Sequence, residues 1–486
     1  MRLPELKQRL LFSAVSLAFA ALAILLIKKS AAQGLLSVSS FLAGGLTLGW
    51  IAASSHHWWL LMPVAVAFGG IFFYSHKLFP HEIALLICSL ALLPVITLRR
   101  KELPDRPRLP GPFLGLLSLF IVNWAVSFYV SDSQDIRSLG SLSRAYLHGF
   151  WAVLFAALFY GYGILKPRLL LGVLYVVFLS RMLLAGVAFL FENVFAMPQA
   201  GFAAMSAILG VIDLRVTGLQ MALLAFVFAK LAARNVWKTV NYGIMILAGI
   251  LVALGGGRVS VGMIFAAPLI WCTIRRQFGL LAFVSALGLS LMLLLNQKPD
   301  LLYTLPLTAQ RALSFLITET STKWVDWHIY NVGSDYWHRY LGELGWQRWT
   351  QSPVTVLFGN RVAAYDEVYN AAYVTIEMKA EIASRLGYFE SGLWNVLVLL
   401  GALGAFFYFR IFGFLLGHPY ALIKKEGILT PAHALGYLAV ILTALWALFC
   451  WTAGGFPSYE LMMAVFAKVA CSDEMERRER QDKSLN

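Results

Sequence analysis

"VNYGIMILAGILVALGGGRVSVGMIFAAPLIWCTI", residues 240–274, holds two apolar runs, 240–254 and 259–274, separated by three glycines and one arginine. Each run reads as one helical crossing of a hydrocarbon core about 30 Å thick. The glycines read as the turn between two such helices. Outward from this hairpin, comparable runs recur from one end of the chain to the other. Composition agrees: of 486 residues 59% are hydrophobic and 13% charged, with a mean hydropathy of +0.72, whereas a soluble protein carries roughly a quarter charged residues. The pattern predicts an all-α, polytopic integral membrane protein.

About fourteen spans are expected, at 10–27, 34–53, 58–74, 82–97, 111–130, 145–163, 169–190, 214–233, 239–256, 258–274, 278–295, 386–409, 432–452 and 457–471. They divide the chain into residues 1–295 with eleven spans, a large loop at 296–385, three further spans at 386–471 and a tail at 472–486. The first run does not read as a cleaved signal peptide, since no small-residue cleavage site leads into a soluble domain. Lys and Arg collect in alternate loops: "MRLPELKQR", "LRRKELPDRPR" at 98–108, "LKPR" at 165–168, "KLAARNVWK" at 230–238, "RRQ" at 275–277, "FRIFGFLLGHPYALIKK" at 409–425, and "ERRERQDK" in the tail. The positive-inside rule makes these loops and both termini cytoplasmic; only the pair Lys28 and Lys29 runs against it. The net charge of +14 is then a topology signal and not a nucleic-acid footprint, because no basic patch sits in a soluble module. Cys88, Cys272 and Cys450 fall inside spans and Cys471 at a cytoplasmic end, so neither a disulfide framework nor a cysteine metal site is implied.

The remaining loops face outward, and 296–385 is by far the longest. A loop of that length carries structure or function. It is rich in aromatics, "STKWVDWHIYNVGSDYWHRYLGELGWQRW", and Trp337, Leu341 and Leu344 recur at helical spacing, predicting a surface-lying amphipathic helix over 334–349. Its rings are either sugar-stacking platforms or interfacial anchors, the commoner role for any single ring.

Several residues stand out as candidates. Arg258 begins the tenth span at the outer side, after Gly255, Gly256 and Gly257. It either snorkels, which is cheap at a membrane edge, or joins backbone N–H groups bared by the glycines in holding phosphate oxygens. Glu390, in "LGYFESGLWNVLVLLGALGAFF", precedes the twelfth span on the same side. It is either a helix cap or a general base, its pKa raised by partial burial. Arg215 opens the eighth span within "RVTG", as a headgroup contact or an anchor. Arg181, in "FLSRMLL", falls inside the seventh span, where a charge marks a functional site unless it pairs with an acid such as Glu192 or faces a water-filled cavity. Arg339 has Asp335 and Glu343 four residues away, a spacing that often only supports a helix. Arg348 is its alternative, and His338 and His328 are alternative bases ranked below Glu390.

Taken together, "DLRVTGLQMALLAFVF" (213–228), "LGGGRVSVGM" (254–263), "DYWHRYLGELGWQRWTQSPVTVLFGN" (335–360) and "ESGLWNVLVLLGALG" (390–404) resemble, in order and placement, segments of the O-antigen polymerase and O-antigen ligase superfamily of membrane glycosyltransferases. The resemblance covers residues from about 210 to 410 and the topology. It implies a GT-C-like fold and transfer of glycan from a polyprenyl-pyrophosphate donor at the outer, periplasmic face of the bacterial inner membrane, with inversion and without metal, cofactor or nucleotide sugar. It implies that Arg258, Gly256, Gly257, Arg215 and Arg339 bind pyrophosphate and that Glu390 activates the acceptor hydroxyl. Ligases of the superfamily carry His-Asn where this chain has Glu390-Ser391-Gly392, which favours a polymerase of O-antigen, capsule or exopolysaccharide over a ligase or a protein O-oligosaccharyltransferase. Expected partners are undecaprenyl-pyrophosphate-linked oligosaccharide, membrane lipid and a chain-length regulator, with no nucleic acid. The competing class is a flippase or transporter, against which stand the long outer loop and the lack of paired halves with matching broken helices.

Overall fold

The computed structural model describes residues 88–89, 92, 96, 109–129, 136–194, 211–255, 257–298, 300–305, 307–313, 316, 325–362, 376–385, 387, 389–452 and 455–485. The spans expected at 10–27, 34–53 and 58–74 lie outside them, as do Gly256 and most of the span at 82–97. All regular structure among the described residues is helical. In chain order the helices are α1 (Gly111–Tyr129), α2 (Ile136–Tyr162), α3 (Pro167–Val194), α4 (Val211–Leu231), α5 (Asn235–Leu254), α6 (Arg258–Ile274) and α7 (Phe278–Gln297). Then come the short α8 (Asp300–Tyr303) and α9 (Leu307–Leu313), followed by α10 (Val325–Trp349), α11 (Pro353–Phe358), α12 (Ile376–Arg385), α13 (Gly392–Glu426), α14 (Pro431–Phe449) and α15 (Ser458–Leu485). Among the described residues, α5, α7, α13 and α14 are long and apolar enough to cross a membrane; shorter apolar stretches lie at Gly111–Ser127, Gly149–Tyr162, Thr217–Leu231 and Arg258–Ile274.

The chain divides into two compact units, Met1–Ala91 with Arg168–Ser260, and Leu92–Pro167 with Val261–Asn486. In the first, α4 lies against α5, and Gly218 permits their close approach: a Cβ there would stand 3.0 Å from the Ala248 carbonyl oxygen. The α3 helix joins them through Tyr175, which donates to Asn241 Oδ1 at 2.9 Å and sets its ring 4.5 Å from Phe228. Arg181, between Tyr175 and the Gly186–Leu251 contact, is 5% exposed.

In the second unit, α1 runs antiparallel to α13, with Gly115 against Phe407 and Asn123 at the Leu399 carbonyl. The α2 helix returns beside α1, its Gly149 against Phe120. Aromatic packing seats α15 on it, with Phe466 4.8 Å from Phe159 and 6.1 Å from Phe155. The α6 and α14 helices meet at Trp271 and Tyr437, 5.0 Å apart. Burying such rings side by side contributes on the order of 1 kcal/mol per pair beyond the area they bury.

The two ends of this unit are closed by different contacts. At one, Arg275 donates to the carbonyls of Ile423 (3.0 Å) and Lys424 (2.7 Å), closing the C-terminus of α13 as a cation should. There too Arg478 holds both oxygens of Glu426, at 2.8 and 2.9 Å. At the other end lie the Ser391–Cys450 junction and helices α10 to α12: α10 packs on α11, α12 and α13, and α11 packs on α13.

Three stretches depart from expectation. The basic segment 409–425 is no loop: α13 continues through it to Gly427, whose φ of +80° ends the helix. Its 35 residues, interrupted by a non-helical residue at Gly401, are more than a hydrocarbon core requires. The tail likewise prolongs α15 to Leu485. The aromatic loop helix starts at Val325, nine residues before the 334 expected.

Candidate functional site

Of the sequence candidates of the second unit, Glu390 stands where α10 crosses the start of α13. Glycine spacing on α10 makes that crossing: Gly342 and Gly345 face the indole of Trp394, which a Cβ at Gly345 would approach to 2.8 Å. Trp346 completes the contact edge-on, 6.4 Å from Trp394. Leu341 is buried beneath.

Glu390 stands at this crossing in a left-handed backbone conformation, φ +52°. For a residue with a Cβ that geometry costs about 1–2 kcal/mol, so the flanking structure must impose it. Phe389 is buried and its N–H donates to Asn395 Oδ1 at 3.3 Å. Ser391 is buried too; its Oγ donates to the Cys450 carbonyl at 2.8 Å and accepts from the Trp394 N–H as N-cap of α13. Capping therefore belongs to Ser391, not to Glu390. The Glu390 carboxylate accepts a 3.2 Å hydrogen bond from Trp337 Nε1 and is exposed. The partial burial expected of it does not occur, because α10 reaches it with a ring edge and leaves the rest to solvent.

Arg339 does not share that contact. Two residues along a helix turn it about 200° from Trp337, and its side chain is 71% exposed, 3.8 Å from Glu343, with the Tyr336 ring 5.8 Å away. It supports α10 in the i,i+4 manner. Tyr336 turns instead to α12, donating to Glu377 Oε1 at 3.0 Å, a bond that raises its pKa. Arg348, eleven residues after Trp337, returns to nearly the same side of α10. It is half-buried, and its pKa is pushed down to about 10 by burial and by the Arg385 cation, with Glu381 opposing. It remains charged at neutral pH. Glu381 is engaged by Arg385 at 2.6 Å, so this corner carries two guanidinium groups on one carboxylate.

The other candidates sit elsewhere. His338 is exposed on α10. His328 lies on α10 and Arg215 near the start of α4, their side chains outside the described residues. Arg258 is half-buried as the first residue of α6 and belongs, like Arg181, to the first unit. Gly255 closes α5 with φ −66° and ψ −8°, an ordinary helical conformation that leaves the freedom of glycine unused there. In the second unit, α6 places Gly262 against Phe449, next to the Cys450 carbonyl that holds Ser391. Sequence reading missed Trp337 as the partner of Glu390 and missed Arg385 altogether; the end of the charged 376–385 segment was its one signal. No family model and no curated protein matches the chain.

Proposed function

We propose that this chain is a polysaccharide polymerase of the O-antigen polymerase kind, a GT-C-like membrane enzyme of about fourteen spans with both termini on the cytoplasmic side. It joins lipid-linked repeat units at the outer face of the bacterial inner membrane. The observation that carries the reading is Glu390, an acid held in a strained backbone conformation by two anchored neighbours, at the mouth of a membrane-length helix and under a loop helix rich in aromatic residues. Non-glycine residues kept at positive φ concentrate at functional sites. The opposite end of the second unit carries Arg275, Lys424 and Arg478, and the positive-inside rule reads such an end as cytoplasmic, which supports an outer position for Glu390.

In the proposed reaction the Glu390 carboxylate removes the proton of an acceptor sugar hydroxyl as its oxygen attacks the donor's anomeric carbon. The bond from that carbon to the pyrophosphate oxygen breaks on the opposite face, and polyprenyl pyrophosphate departs with the electron pair. Configuration inverts. A positioned base contributes about 10²–10⁴-fold. Guanidinium groups aimed at the departing diphosphate supply the electrostatic part; within the second unit, Arg348 with Arg385 are the groups assigned to it, Arg348 replacing Arg339.

The test is the site of accumulation in cells carrying Glu390→Gln. A polymerase without its base leaves single lipid-linked repeat units on the outer leaflet. Accumulation on the inner leaflet would instead mark a flippase.

A further inference from the structure

The short helix α11 and the turn after it, part of what the sequence presents as an extramembranous loop, lie deep against α13. At Gly401 the helix α13 is broken, with φ +67° and ψ −171°. Into that break fits Gly359, itself at φ +92°. The two backbones touch: a Cβ on Gly359 would fall 2.6 Å from the Leu400 nitrogen, and one on Gly401 2.6 Å from the Gly359 nitrogen. Gly401 is the tenth residue of α13, about 14 Å along its axis, close to half the thickness of a hydrocarbon core.

Non-helical backbone at that depth survives only if protein satisfies its polar groups. Here it does. Asn123, an amide inside the apolar α1, donates to the carbonyls of both Phe358 (2.6 Å) and Leu399 (2.8 Å). The Asn360 N–H donates to the Val398 carbonyl, and the Asn360 carbonyl accepts from Tyr146 at 3.1 Å. Ser127 Oγ accepts from the Val362 N–H at 3.1 Å. At the other end of α11, Ser352 and Thr355 form a capping box, and Trp349 Nε1 donates to the Val356 carbonyl at 3.0 Å. By contrast, the outward side chains of α11 are apolar and bare: Val354 is 64%, Leu357 47% and Phe358 45% exposed. The helices that α11 meets also expose apolar side chains: Ile121, Val122 and Val126 on α1 and Phe406 on α13.

We infer that Pro353–Phe358 is a re-entrant helix inserted in the outer leaflet, with Val354, Leu357 and Phe358 in contact with lipid acyl chains. The arm would anchor α10 at the membrane surface, so that Arg348 meets a lipid-borne ligand without that ligand leaving the bilayer. The inference depends on α13 crossing the membrane and not on glycosyl transfer, so either can fail alone.

Nitroxide labels at Val354→Cys and Leu357→Cys test it, in the full-length chain with its native cysteines replaced, reconstituted in phosphatidylcholine and phosphatidylglycerol vesicles. Phe409→Cys, on the bare side of α13, is the hydrocarbon reference, and Glu343→Cys the aqueous one. Re-entry predicts that both α11 labels collide with oxygen as Phe409→Cys does and are shielded from a water-soluble nickel chelate. Nickel collision at the level of Glu343→Cys would overturn it. Should Leu357→Cys misfold, the more exposed Val354→Cys carries the same decision.

Discussion

At Glu390 the demands of folding and of the proposed chemistry pull apart. Its left-handed backbone would suit glycine, and Glu390→Gly removes a cost of about 1–2 kcal/mol while restoring unfolded-chain entropy worth about 0.5–1 kcal/mol. The net expectation is a thermal midpoint that holds or rises slightly, with polymer formation lost; a variant both active and more stable would take the base away from position 390. Gly401→Ala and Gly359→Ala act in the opposite direction. Each puts a Cβ at positive φ against the other segment's backbone, so each should cost at least about 2 kcal/mol, read as a marked fall in the midpoint. Of these residues, Glu390 was visible in the sequence as an acid bordering an apolar run, and Gly401 only as a glycine within it. Their conformations were not, because φ at one position is imposed by contacts such as Phe389–Asn395 that join separate turns of chain.

Among the elements, α10 shows what periodicity conveys and what it omits. Spacing put Trp337 and Leu341 on one face, and Leu341 is buried there. Spacing alone could not say that Arg339 faces away while Arg348 turns toward α12, since that depends on where α12 and α13 dock. Arg348→Ala should therefore lower polymer formation at least about tenfold, the scale of a lost charge-assisted contact of roughly 1.5–3 kcal/mol, whereas Arg339→Ala should stay near wild type, its ion pair being exposed. Equal losses in the two variants would contradict the assignment. The α13–α15 junction gives a pH prediction. Arg478 holds the Glu426 carboxylate below its ordinary range, so the stability it contributes is present above the usual glutamate pKa and fades as pH falls through the lower folded value. Glu426→Gln should lower the thermal midpoint at neutral pH and flatten its decline in acid. The sequence hid this junction by making 409–425 look like a basic loop; lysines and arginines report the side of the membrane, and helices extend past the lipid regardless.

At the scale of the whole molecule, among the described residues, helices stand at apolar runs read as spans: α4 to α7 match the expected boundaries within a few residues. Hydropathy conveys this well because lipid leaves backbone little choice but helix. It could not convey the insertion of 353–358, whose six residues are too few for a span and whose partners, Asn123 and Tyr146, come from two earlier helices. The proposed function reaches beyond the fold to a reaction, and reconstitution reaches it most directly: the purified protein in vesicles, given a defined undecaprenyl-pyrophosphate oligosaccharide. A ladder of lengthened lipid-linked glycan, absent with Glu390→Gln, is the predicted result. Unextended substrate from folded wild-type protein, or a ladder undiminished in Glu390→Gln, would contradict the account.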